Sequence, residues 1–140
     1  MAIPYGTTKD GFESQLGSNF LGHFLFTALI FPRLVAASLP NFPSRVVGVS
    51  SSGHWRSDFR FDDYNFSGGK TYDNWIAYGQ SKTAIIMMIN ELARRAKEYK
   101  VNVLAYSLDP GGTLVPARNS TLLLTHSTGS YTERSPAICT

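Results

Sequence analysis

Apolar residues fall into two helical stripes and two short runs rich in β-branched residues. In the first stripe Phe12, Leu16, Phe20, Phe24, Ala28 and Phe31 recur every three to four positions, widened by Leu21, Leu25 and Leu29. That period predicts a largely buried helix of about 20 residues, with Asn19 and His23 as its polar exceptions. Asp10, with Glu13 three residues on, has the spacing of a capping box at its start. Pro32 marks either its end or a kink in a helix that runs on to Ser38.

After a turn at "LPNFP" (39–43), "RVVGVS" (45–50) lacks polar alternation. This suits a strand covered on both faces, as in a parallel sheet. Residues 52–71 read as a long loop carrying Trp55, Phe59, Phe61, Tyr64 and Phe66. Such aromatic loops are often binding elements. A second helix is predicted from Asn74 to Tyr99, with Ile85, Met88, Leu92, Ala96 and Tyr99 in one stripe flanked by Ile89 and Ala93. Arg94, Arg95, Lys97 and Glu98 supply its solvated face. "VNVLAYSL" (101–108) is a second strand, stopped by "DPGG" (109–112). Residues 116–140 are rich in Ser and Thr, show little periodicity, and are expected to form a poorly ordered tail.

Helix, strand, loop, helix, strand is the order of an α/β doubly wound fold. Such folds bind ligands beyond the C-terminal ends of their strands. Ser50, Ser51 and Ser52 lie at one such end, and Asp109, Pro110 and Gly111 at the other.

Composition narrows the function classes. A chain of 140 residues holds one small domain. A net charge of +3, with basic residues scattered apart from Arg94-Arg95, argues against a nucleic-acid surface. The single cysteine, Cys139, permits no internal disulfide and fits a reducing, cytoplasmic location. His23, His54 and His126 lack ligand spacing, so no metal is expected. Met1–Pro4 has no signal-peptide character, and the apolar run Leu21–Phe31 falls short of the roughly 18 residues of a membrane span. "GGKT" (68–71) has Tyr64 where a phosphate loop needs its first glycine.

Two Tyr-Gly-x-(Ser/Thr)-Lys stretches stand out: Tyr5…Lys9 and Tyr78…Lys82. With seven tyrosines in the chain the spacing alone is weak, so context decides. The first pair sits among Pro4, Gly6 and two threonines, which is loop chemistry with no fixed orientation. The second lies on a predicted helix, where four residues apart means one face. An ammonium beside a phenol there favours the phenolate and readies it for proton exchange near neutral pH.

Four segments in register carry a family resemblance: "DGFESQLGSNFLGHFLFT" (10–27), "SRVVGVSSSG" (44–53), "YGQSK" (78–82) and "LDPGG" (108–112). Together they resemble the short-chain dehydrogenase/reductases, in their retinol-dehydrogenase-like branch. The resemblance implies Tyr78 as general acid–base and Lys82 as the group that favours its phenolate and holds the nicotinamide ribose. Ser51 would hydrogen-bond the reacting oxygen, with Ser50 as runner-up, and Asn19 would order a water between Lys82 and solvent. Pro110, Gly111 and Thr113 would contact an NADP or NAD cofactor. The substrate would be a small apolar carbonyl or alcohol, and the two long helices could pair with a second subunit.

No G-x-x-x-G-x-G stretch occurs in the sequence. The expected fold is therefore the C-terminal part of a Rossmann-type doubly wound parallel sheet, lacking the N-terminal dinucleotide-binding βαβ units. Residues 1–115 would form this partial domain and 116–140 a divergent tail. Two functions follow: an NAD(P)-dependent oxidoreductase, or an inactive truncated fragment without independent cofactor binding.

Overall fold

The computed structural model describes residues 1–111. A helical turn α1 (Ser14–Leu16), a π-helical segment (Gly17–Leu21) and helix α2 (Gly22–Ala37) run on without a break. Strand β1 (Ser44–Val49), helix α3 (Asn74–Glu98) and strand β2 (Val103–Leu108) follow. β1 and β2 pair in parallel, Ser44 opposite Val103 through Val49 opposite Leu108. A helix joining two parallel strands is the βαβ unit, so the α/β class read from the sequence holds.

The start of the first helix differs from expectation. Glu13, not Asp10, is the N-cap: its carboxylate accepts from the backbone N–H of Gln15 and Leu16, both at 2.8 Å. Gly11 at φ +83 and a bond from Thr8 N to Phe12 O first turn the chain, which moves the helix start past Asp10. At the other end the helix passes through Pro32 to Ala37, as the longer of the two expectations had it. Ser14–Ala37 is then 24 residues and contains an 18-residue window of mean hydropathy 1.7, long and apolar enough by composition to cross a membrane. The shortness of the apolar run is thus no argument against a span, although Asn19 bonds this helix to α3.

The core lies between α3 and the sheet. Ala77, Ala84, Ile85, Ile89 and Ala96 of α3 are buried, as is Val103. The stripe is centred on Ile89, which the sequence placed at its flank, while Tyr99 is exposed. Gly48 of β1 is where helix and strand come closest: a Cβ there would lie 2.6 Å from Ile89 Cγ1 and 2.8 Å from Ile85 Cγ2. Two further expectations are corrected. Helix α2 has no buried residue, and Phe24, Leu25, Phe26 and Leu29 are exposed. β1 is covered on the α3 side alone, leaving Val47 and Val49 exposed beside Leu104, Tyr106 and Leu108 of β2. Two strands and two helices offer too little surface to cover these faces among the described residues.

The loop before α3 is held down by its own chemistry. It contains two 3-10 turns, Ser52–Arg56 and Phe66–Gly69. Phe66 and Ser67 adopt left-handed φ values of 54 and 48, which cost energy for non-glycine residues. Asp63 offsets this by accepting from Ser67 N at 2.6 Å, Ser67 Oγ at 2.9 Å, Thr71 Oγ1 at 2.7 Å and Arg60 Nη2 at 2.7 Å. These bonds, Thr71 and Arg60 foremost, hold the Asp63 carboxyl down at about 2. A depressed carboxylate stabilises the fold above its unfolded value of 3.8, and that contribution fades as pH falls through about 2. Asp63→Asn is expected to lower the thermal midpoint near neutral pH and to flatten its fall in acid. Parallel melting curves for both proteins across that range would contradict this role.

Candidate active site

The 3-10 turn Ser52–Arg56 follows β1 directly, so the strand end and the turn fix the serines. Ser50 is buried, and its hydroxyl donates to the Lys82 carbonyl at 3.1 Å. Ser51 caps the turn: its Oγ accepts from Gly53 N at 3.1 Å. His54 holds the Ser51 carbonyl twice, from its backbone N at 3.0 Å and from Nδ1 at 2.6 Å. Ser51 and Tyr78 line one open cavity of about 450 Å³, with Gly53, Trp55, Arg56 and Trp75 around them. Ser50 is spent on helix packing, whereas Ser51 faces this space.

Asp73 caps α3, accepting from Trp75 N and Ile76 N, so Tyr78 lies in the helix's opening turns. The Tyr78 ring packs against Gly53, where a Cβ would come within 2.6 Å of Cε1. Trp75 meets it edge-on at 6.3 Å, and the Arg56 guanidinium lies 5.0 Å over Trp75. One turn on, Lys82 Nζ sits 5.7 Å from the Tyr78 ring centroid and donates to Val49 O at 3.0 Å. Burial pulls the Lys82 pKa below its ordinary value, partly opposed by the Asp109 carboxylate beyond β2. The ammonium thus ties the end of β1 to the helix beside the tyrosine.

Asn19 lies in the π-helical segment, a feature that often marks functional positions. Its Nδ2 donates to Ser81 Oγ at 2.9 Å, and that hydroxyl donates to Tyr78 O at 2.7 Å. Asn19 and Lys82 share a separate groove of about 370 Å³ between α2, β1 and α3. The structure therefore places Ser51 with Tyr78 on one side and Asn19 with Lys82 on the other. Neither cavity reaches Pro110 or Gly111; Gly111 turns the chain at φ +70 and donates to Asp109 Oδ1 at 3.0 Å. Thr113 and the tail at 116–140 lie outside the described residues.

Tyr5…Lys9 has another role. The Tyr5 ring packs on Gly69, where a Cβ would lie 2.9 Å from Cδ1, and edge-on to Tyr72 at 5.2 Å. Of the aromatic loop, Phe66 is fully buried and Trp55 reaches the cavity, while Phe61 and Tyr64 are exposed away from it. Sequence reading missed Trp75, and the glycines at 53 and 79 that let turn and helix touch. Their signal was a glycine directly after the tyrosine and another closing the serine run.

A tyrosine, a serine and a lysine lie near the ends of two parallel strands, where α/β folds bind ligands. No family model matches the chain. It is 48% identical over 112 residues to the short-chain dehydrogenase/reductase prx1 of Penicillium roqueforti, covering 80% of this chain and 32% of that protein. Human retinol dehydrogenase 13 is 44% identical over 111 residues, or 79% of this chain and 31% of that protein. A crystal structure of an uncharacterised protein from Mycobacterium paratuberculosis matches with TM-score 0.69 at 38% identity, over 84% of this chain and 40% of that one. Over the stretch it shares with them, the chain is similar to short-chain dehydrogenase/reductases, and it spans about a third of the length of these curated relatives.

Proposed function

We propose that this site is the carbonyl-binding and nicotinamide-facing part of an NAD(P)-dependent oxidoreductase that interconverts a carbonyl and an alcohol. The observation that carries the reading is the shared cavity of Ser51 and Tyr78, with Lys82 Nζ 5.7 Å from the Tyr78 ring. A bound nicotinamide would supply or accept the hydride. Tyr78 gives its phenolic proton to the reacting oxygen in reduction and takes it back in oxidation. The Ser51 oxygen already accepts from Gly53, so its own proton is free to donate to the oxygen on which charge develops. Lys82, with one of its three donors on Val49, has others for ribose hydroxyls. Asn19, in the groove with Lys82, orders a water on the route for protons to solvent.

These residues fit the nicotinamide end of the cofactor. No glycine-rich diphosphate cradle occurs in the 140 residues. NADP and NAD both suit the site, and Pro110, Gly111 and Thr113 would lie towards the bound cofactor. A small apolar substrate suits the walls made by Trp55 and Trp75.

A second reading, an inactive segment that does not bind cofactor alone, draws on the open sheet face of Val47, Val49, Leu104, Tyr106 and Leu108. In that state the exposed apolar side of α2 would pair two copies. Fluorescence titration of the full chain with NADPH and NADH separates the readings. The oxidoreductase reading expects a saturable change that weakens about tenfold in Lys82→Met, which loses charge-assisted hydrogen bonds. No change at saturating cofactor would leave the inactive reading standing.

A further inference from the structure

Ser51 is held by a turn, and the turn is held by α3. The Thr83 hydroxyl reaches two carbonyls of that turn, Ser57 O at 2.8 Å and His54 O at 3.3 Å. On the same helix face, Gly79 lets the turn approach closely: a Cβ there would stand 2.8 Å from Gly53 O and 3.1 Å from Ser57 N. Gly53 of the same turn also lies against the Tyr78 ring. From the turn, His54 and Gly53 then grip the Ser51 carbonyl and hydroxyl oxygens.

We propose that Thr83 is a positioning residue that sets Ser51 against Tyr78. It touches neither reacting group, and it lies immediately after Lys82. Its single hydroxyl proton is shared between the carbonyls that end and centre the turn, with the shorter bond at Ser57. Gly79 supplies the space and Thr83 the fastening. Without the hydroxyl, two turn carbonyls lose their partner on the helix. The turn then drifts from α3 and carries the Ser51 hydroxyl away from the phenol. The positional claim stands on the geometry; its effect on turnover rests on the oxidoreductase reading.

The test compares Thr83→Val, which keeps the shape, with Thr83→Ser, which keeps the hydroxyl, in the full chain. Amide hydrogen exchange reads the seam directly. Thr83→Val should speed exchange of the Gly53 and His54 amides roughly tenfold, the loss of about one hydrogen bond, and leave the α3 interior unchanged. Thr83→Ser should exchange as the wild type does. In turnover, Thr83→Val should lower kcat with KM for the carbonyl unchanged, and Thr83→Ser should restore it. Wild-type exchange in Thr83→Val, or equal loss in Thr83→Ser, overturns the proposal. Loss of protection along all of α3 overturns it too, because Thr83 would then hold the fold at large. If the wild type shows no turnover, the oxidoreductase reading of this chain fails, and the exchange result still decides the role of Thr83.

Discussion

Tyr78→Phe is expected to lower carbonyl reduction by about 10²–10⁴-fold, the range in which a positioned acid–base group contributes. The substitution removes one oxygen. Among the described residues the Tyr78 hydroxyl makes no hydrogen bond, while the ring keeps its place between Gly53 and Trp75. Thermal stability should therefore change by no more than about 0.5 kcal/mol. Cofactor affinity should also persist, because Lys82 Nζ is anchored to Val49 O rather than to the phenol. Turnover and melting curves on the same preparation check this. Retained turnover in Tyr78→Phe would remove the tyrosine from the chemistry.

Phe66→Ala is expected to have the largest effect on stability. The side chain is fully buried, lies edge-on to Tyr72 at 5.3 Å, and carries the Arg60 guanidinium over its face at 5.0 Å. Emptying such a site costs about 3–5 kcal/mol. The effect reaches the site through Gln80, which is buried on α3 and bonded to Arg60 N at 3.2 Å and Tyr64 O at 2.9 Å. When Phe66 leaves, the loop loosens beside the turn after Tyr78. Urea unfolding should show the loss as a lower midpoint with the slope kept. A loss under about 1 kcal/mol would mean the loop collapses into the space, against the rigid packing described here.

Much of this was legible in the sequence because periodicity and strand-end chemistry are local. The α3 helix, both strands and the loop appear close to their expected bounds. Tyr78…Lys82 could be told from Tyr5…Lys9 by its helical context. The errors have physical causes. A stripe of Phe24, Leu25 and Leu29 reports an apolar face and not what covers it, so α2 was expected to be buried and is exposed. The cap moved from Asp10 to Glu13 because the Gly11 turn comes first, and one-dimensional spacing does not register a turn. Through the π-helical segment around Asn19 the expected stripe turns outward: Leu16 is buried, Phe20 half-buried and Phe24 exposed. The Asp63 clamp and the Gly79–Thr83 seam join residues through space, and nothing in the local spacing of those residues marks the pairing.

The central claim is that the Ser51–Tyr78 cavity receives a carbonyl oxygen for reduction. Incubating the full chain with NADPH deuterated at the transferable nicotinamide position and an aromatic aldehyde tests it most directly, with mass spectrometry of the alcohol. The wild type should yield alcohol with one deuterium on the carbinol carbon, and Tyr78→Phe should yield far less of it. An alcohol without deuterium, or no alcohol from wild-type chain at saturating cofactor, would contradict the claim.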